Sequence, residues 1–115
     1  MPLEASIEQI DGVAVVTIHG NLTLGTRLKT IDDQAQTLIG HGTRKVLFDL
    51  AAVTYCDSAG LGMLVHTFGL LRERGGSVRL CSVSQRVREL LKLTMTDTFI
   101  PIDTDRAASL ASLTQ

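Results

Sequence analysis

The change of hydrophobic period along the middle of the chain constrains its fold more than any other feature. The segment from Lys45 to Leu50 contains the continuous apolar run Val46-Leu47-Phe48, which is typical of a strand covered on both faces. The segments on either side carry apolar residues three, four and seven apart, which is the spacing of one helical face. Strands and helices therefore alternate. This order predicts an α/β fold, with a mixed, partly parallel sheet of four or five strands and about four helices packed on it.

Turn residues predict the shorter elements at both ends of this alternation. Asp11-Gly12 is a strong hairpin signal, so the strands Ile7–Gln9 and Val13–Ile18 are expected to pair antiparallel. Val78–Cys81 is predicted as a further strand. Phe99–Ile102 is predicted as a terminal extended segment, which its proline places at an edge or a strand end.

The helices are predicted from their apolar stripes and from residues that can cap them. The first stripe comprises Leu24, Leu28, Ile31, Ala35, Leu38 and Ile39. The second comprises Leu61, Leu64, Val65, Phe68 and Leu71, and the third comprises Val87, Leu90 and Leu91 and reaches towards Met95. The expected N-terminal caps of the second, third and fourth helices are Asp57, Ser84 and Thr104.

The length and composition predict one domain over residues 1–115 and disfavour several classes of partner. The net charge is −1, the eleven Lys and Arg residues are scattered, and only 3% of the residues are aromatic, which argues against nucleic acid binding. No apolar run reaches about 18 residues, so direct membrane insertion is not expected. The first residues do not resemble a secretory signal, and two cysteines in unrelated segments favour a reducing compartment, so a cytoplasmic location is expected.

The sequence does not favour an enzyme, a metal site or a bound cofactor. Cys56, Cys81 and the three histidines show no close ligand spacing, so the cysteines are expected to be small buried residues. The Gly-x-Ser-x-Gly elbow of serine hydrolases is absent. His66 stands eight residues after Ser58, about 12 Å away along a helix, which is too far for a general base.

The run Asp57-Ser58-Ala59-Gly60-Leu61-Gly62 is the most informative local motif. It follows the carboxyl end of a predicted strand, where α/β folds concentrate functional groups, and it delivers Ser58 to the first turn of a helix. Free backbone N–H groups and the positive end of the helix dipole would stabilise an anion attached to that serine. Ordinary helix capping explains the same residues, and on local physics alone it is the commoner role.

The wider pattern resembles the STAS domain family, and in particular the bacterial anti-sigma factor antagonists. The resemblance rests on Val46–Leu50 followed by Asp57–Gly62, and it extends over nearly the whole chain. The turn Gly20-Asn21-Leu22 matches the family's Gly-x-Leu turn, and Gly75-Gly76 and the strand Val78–Cys81 fall at the family's positions.

The resemblance implies a phosphorylation switch without catalysis by this chain. In such proteins the serine after the aspartate, here Ser58, is phosphorylated by a partner that is both an anti-sigma factor and a serine kinase. The unmodified form binds that partner and releases a sigma factor, and a phosphatase acting on the phosphoserine restores binding. Many antagonists have a second serine at the position of Ala59 and an acidic residue at the position of Thr23.

Thr23 leaves two interpretations open. It is expected either to alter the usual contact with the kinase or simply to cap the first helix. The alternative function is a non-switched STAS subunit of a membrane-associated lipid or anion transport complex, or of a stress-signalling assembly.

The partner is expected to contact the loop and an outward face of the second helix. Met63 and Leu70 lie roughly opposite the stripe predicted to be buried, which suggests a contact patch unless a neighbouring helix covers them. The expected contacts are Thr23, Asp57, Ser58, Ala59, Gly60, Leu61, Gly62, Met63, His66, Thr67 and Leu70.

Overall fold

Within residues 2–115, five strands form one mixed sheet, in the order in which they occur along the chain. The computed structural model describes residues 2–115. The strands are β1 (Glu4–Ile10), β2 (Val13–His19), β3 (Lys45–Ala52), β4 (Ser77–Cys81) and β5 (Ile102–Asp103). The helices are α1 (Thr26–Gly40), α2 (Ser58–Glu73), α3 (Gln85–Leu93) and α4 (Arg106–Leu113), and a short 3-10 turn spans Thr96–Thr98. The predicted α/β fold class is therefore confirmed, with β1 and β2 antiparallel and the other neighbours parallel.

Strands β2 and β3 occupy the middle of the sheet and are covered on both faces. Val46, Phe48 and Leu50 point into the larger core beneath α1, α2 and α3, whereas Leu47 packs on the opposite face with Leu113 of α4. This two-sided burial explains why β3 is an unbroken apolar run and does not alternate with polar residues.

Ion pairs and a hydrogen bond hold α4 on its face of the sheet and link β4 to β5 on the same face. Arg106 donates from Nε to Asp49 of β3 at 3.0 Å and from Nη2 to Thr17 of β2 at 2.8 Å. Arg79 of β4 forms a two-point contact with Asp103 of β5, at 2.7 and 3.1 Å. These contacts lie on the opposite side of the sheet from α2 and do not form part of the candidate site.

Three local predictions are wrong. Leu24 was expected in the buried stripe of the first helix, but α1 begins at Thr26 and Leu24 is 81% exposed. Asp105, not Thr104, caps α4, because its carboxylate accepts the N–H of Ala108 at 2.8 Å. Met95 does not extend α3, because it adopts the left-handed conformation with φ 62° just beyond the helix end.

The terminal strand is shorter than the predicted extended segment. Of Phe99–Ile102, only Ile102 lies in β5, while Phe99 follows the 3-10 turn and packs its ring 5.1 Å from that of Phe68. The predicted caps Asp57 and Ser84 are confirmed: Asp57 accepts from Gly60 N and Ser84 from Val87 N.

Candidate functional site

Ser58 is the first residue of α2 and is exposed. The loop that carries it leaves the carboxyl end of β3, and the buried side chains of Val53 and Cys56 anchor that loop to the core. The Cys56 thiol is held at the same point, with Sγ 3.4 Å from the backbone oxygen of Asp57. The serine hydroxyl is thus presented at a fixed place on the surface.

Asp57, next to this serine, uses both of its carboxylate oxygens. Oδ2 accepts the backbone N–H of Leu24 at 3.0 Å, and Oδ1 accepts that of Gly60 at 2.9 Å. The two backbone donors, Leu24 first and Gly60 second, lower the pKa of the Asp57 carboxyl below its usual value. A negative charge is therefore held beside Ser58 at neutral pH.

The turn between β2 and α1 packs directly against the start of α2. Leu22 is fully buried, its N–H donates to Tyr55 O at 3.1 Å, and its own carbonyl accepts from Asp57 N at 3.0 Å. A Cβ at Gly60 would overlap the Leu22 carbonyl oxygen and would lie 2.7 Å from the Leu22 Cβ. Gly60 is therefore required by this close packing, whereas a Cβ at Gly62 would meet no atom within 4 Å.

The surface of α2 around Ser58 is a narrow ridge between two grooves. We define the ridge as Ser58, Gly62 and His66, which are exposed and four residues apart. The groove on the α1 side is lined by Leu24, Gly25, Leu28, Lys29, Asp32, Ala59, Gly62, Met63 and His66. The groove on the α3 side is lined by Tyr55, Cys56, Asp57, Ser58, Leu61, Arg86, Glu89, Leu90, Leu93 and Thr94.

The expected outward face of α2 is wrong for two of its residues. Met63 is 4% exposed and Thr67 is 1% exposed, because α1 packs against this side of α2. The Thr67 hydroxyl donates to Met63 O at 3.1 Å, which satisfies it inside the core. Leu70 is half-buried and packs against the core. Of the outward patch, only His66 is exposed, and its Nδ1 lies 3.2 Å from Asp32 Oδ1 of α1.

Thr23 is half-buried in the turn that Asp57 holds, and it does not cap α1. The N-terminal cap of α1 is Gly25, without a side-chain hydrogen bond. The sequence did not predict the hydrogen bond between Asp57 and Leu24, because the two residues are 33 positions apart. The motif that contains Asp57 predicts a helix cap and gives no sign of a contact with the turn after β2.

The described residues offer little for other kinds of site. Within 2–115, no group of three or more His, Cys, Asp or Glu side chains is placed to hold a metal ion. The part of the chain that the structure describes contains no helix long and apolar enough to cross a membrane. Both cysteines are free thiols and buried, as the sequence predicted.

Comparison with known proteins places this geometry in a family. The model of the STAS domain matches residues 4–109. The chain belongs to the STAS domain family. The anti-sigma-B factor antagonist of Staphylococcus epidermidis is 30% identical over 94 residues, which cover 80% of this chain and 86% of that protein. The anti-sigma F factor antagonist of Paenibacillus polymyxa is 24% identical over 113 residues, covering 98% of this chain and 97% of the relative.

Solved structures share the same STAS fold. An anti-sigma factor antagonist from Mycobacterium paratuberculosis superposes with a TM-score of 0.86 at 21% identity, covering 99% of this chain and 96% of that one. The antagonist SpoIIAA in its unphosphorylated form gives 0.75 at 19% identity, covering 95% and 94%. The predicted family is thus confirmed, and the relatives that carry these names are regulators.

Proposed function

We propose that this STAS protein is an anti-sigma factor antagonist switched by phosphorylation of Ser58. The unphosphorylated form binds an anti-sigma factor that is also a serine kinase and so releases a sigma factor. Phosphorylation by that kinase ends binding, and a phosphatase restores it. The observation that carries the proposal is the exposed Ser58 at the start of α2, beside the fixed carboxylate of Asp57. Because bacterial transcription is cytoplasmic, the proposal places the protein there.

Electrostatics supports a switch at this position. A phosphate on Ser58 adds about −1.5 to −2 charges at neutral pH, directly after the ionised Asp57. A partner that closes over the helix start would have to desolvate both negative groups, and a penalty of a few kcal/mol weakens affinity about 100-fold. The Asp57 carboxylate cannot move away easily, because two backbone N–H groups hold it.

Burial divides the expected contacts into two groups. Ser58, Gly62 and His66 on the ridge are exposed, and Ala59 and Leu61 are half-buried on its flanks, so a partner can reach them. Gly60, Met63 and Thr67 are buried and support this surface from beneath. Asp57 and Thr23 are half-buried at its edge, and Leu70 lies three turns along the helix from Ser58.

The test uses purified anti-sigma factors of the same genome, recognised by their histidine-kinase-like ATPase domain. Binding is measured by calorimetry for the wild type, Ser58→Ala and Ser58→Asp, with ADP present. We expect Ser58→Ala to bind within about threefold of the wild type and Ser58→Asp to bind at least tenfold more weakly, about 1.4 kcal/mol. Labelled ATP should modify the wild type and leave Ser58→Ala unmodified.

Ser112→Asp is the matched control, because Ser112 is exposed on α4, on the opposite face of the sheet. It should bind like the wild type. Equal binding by the wild type, Ser58→Ala and Ser58→Asp would contradict the switch and would favour the non-switched STAS subunit. Ester hydrolysis that disappears in Ser58→Ala would instead indicate an enzyme.

A further inference from the structure

Residues 22–24 and 55–57 run side by side like two short parallel strands. Leu22 and Cys56 form an isolated parallel bridge beyond the ends of β2 and β3. Leu22 N donates to Tyr55 O, and Asp57 N donates to Leu22 O, at 3.1 and 3.0 Å. In a parallel ladder the next bond would run from Leu24 N to the backbone oxygen of Asp57.

That backbone oxygen is already used by α2, where it accepts the N–H of Leu61 at 3.0 Å. The Asp57 side chain supplies the acceptor instead, and its Oδ2 takes the Leu24 N–H at 3.0 Å. The same carboxylate caps α2 through Oδ1. One side chain therefore continues the ladder and starts the helix that carries Ser58.

This bond fixes an unusually exposed apolar residue beside the candidate switch. The Leu24 side chain is 81% exposed, and α1 begins only two residues later, from a cap without a side-chain bond. Leu24 borders the groove on the α1 side of the ridge, together with Ala59 and Gly62. The position of the turn depends on its bonds to residues 55–57.

We infer that Leu24 is a direct contact of the anti-sigma factor and that Asp57 is the positioning residue that holds Leu24 beside Ser58. The inference rests on the proposed function. The molecule that occupies the groove on the α1 side is the same partner that binds at Ser58. The groove that Leu24 lines is bounded by the ridge and shares Gly62 and His66 with it. Asp57 thus does more than cap a helix: it joins the Ser58 helix start and the apolar turn into one surface.

The variant Asp57→Ser separates the two roles of the carboxylate. Serine caps helices about as well as aspartate, so the bond to Gly60 N is retained, but its single oxygen cannot also reach Leu24 N. We expect the melting temperature to change by only a few degrees, while hydrogen exchange of the Leu24 amide, followed by NMR, accelerates at least about tenfold. Leu24→Ala should leave the fold intact, because its side chain is exposed.

Binding is then measured, without ATP, to the anti-sigma factor that binds the wild type in the experiment above. We expect Leu24→Ala and Asp57→Ser each to weaken affinity about tenfold, and the double variant to be little weaker than either, because both remove the same contact. Met95→Ala is the control: Met95 is 63% exposed and lines neither groove. It should bind within about twofold of the wild type.

Four results overturn the inference, and they can be told apart. Full affinity of Leu24→Ala excludes the contact and leaves the Ser58 switch standing; this variant decides the point even if Asp57→Ser does not fold. Weak binding by Leu24→Ala with wild-type binding by Asp57→Ser, or an unchanged Leu24 exchange rate in Asp57→Ser, excludes the positioning role. Failure of every anti-sigma factor to bind the wild type removes the proposed function and this inference together.

Discussion

Gly60 and Gly62 stand two residues apart in the first turns of α2, yet alanine should have opposite effects at the two positions. A Cβ at Gly60 would overlap the backbone oxygen of Leu22, which is held in place by its own hydrogen bond from Asp57 N. A Cβ at Gly62 would meet nothing within 4 Å and would point to solvent on the ridge. Alanine at Gly60 therefore tests a requirement of the fold, and alanine at Gly62 tests a requirement of partner binding.

The magnitudes follow from helix propensity and from packing. Alanine is better than glycine inside a helix by about 1 kcal/mol, so Gly62→Ala should raise the melting temperature by about 4 °C for a chain of this length. Gly60→Ala gains the same term but forces the Leu22 backbone to move, and overpacking of this kind costs about 1–3 kcal/mol or more. Because the overlap is with a backbone atom, the upper end of that range applies, and we expect a net loss of about 2 kcal/mol, which lowers the melting temperature by about 8 °C.

Thermal unfolding and calorimetric binding to the anti-sigma factor measure the two effects. Gly69→Ala is the matched control, because a Cβ there also meets nothing within 4 Å and Gly69 lies almost two turns along α2 from Gly62, outside the ridge and both grooves. Both Gly62→Ala and Gly69→Ala should stabilise the fold, but only Gly62→Ala should weaken binding, by about tenfold. Equal binding by both would refute the view that the partner packs closely on the ridge, and a stable Gly60→Ala would refute the packing argument.

Two further predictions concern groups whose pKa the fold shifts. Burial raises the pKa of the Cys56 and Cys81 thiols to about 11, so at about pH 8 both should react with a thiol reagent such as DTNB only as fast as the protein opens. Rapid labelling of the folded protein would contradict this. The bond from Arg79 lowers the pKa of Asp103, so its contribution to stability is present above its unfolded pKa of about 4 and is lost as the pH falls through the folded value. In urea titrations at about pH 7 and pH 3, Asp103→Asn should therefore reduce the pH dependence of the free energy of unfolding, and an unchanged dependence would show that this pair does not contribute to it.

The order of the elements could be predicted because each rests on a local signal. The apolar run of β3, the Asp11-Gly12 turn and the capping residues Asp57 and Ser84 act within a few positions of themselves. Where two residues of similar chemistry compete for one role, the sequence does not decide between them. Thr104 and Asp105 are both good caps, and in the structure it is the Asp105 carboxylate that accepts the N–H of Ala108.

The candidate site was only half predictable for a related reason. Ser58 and Asp57 follow from the motif, but the bond from Leu24 to Asp57 depends on two loops meeting after the sheet has formed. The buried face of α2 was also misjudged, because this helix contacts the sheet, α1 and the Phe99 segment on different sides. When a helix is apolar on most sides, the spacing of its apolar residues does not identify one buried face. Periodicity alone therefore could not show that Met63 and Thr67 are buried.

The broad burial of α2 bears on how a switch at Ser58 can work. Only the ridge of Ser58, Gly62 and His66 is exposed along the first half of the helix, so the proposed partner would approach over Ser58 and Gly62, which have little or no side chain. Such a surface permits close backbone contact, and a phosphate placed on it interferes by bulk as well as by charge. Because Asp57 and Leu22 fix the helix start through bonds to backbone groups, the proposed phosphorylation would need no refolding to act. The amides of the described core strands should therefore keep their hydrogen-exchange protection in a protein carrying phosphoserine at position 58, while the affinity for the partner falls.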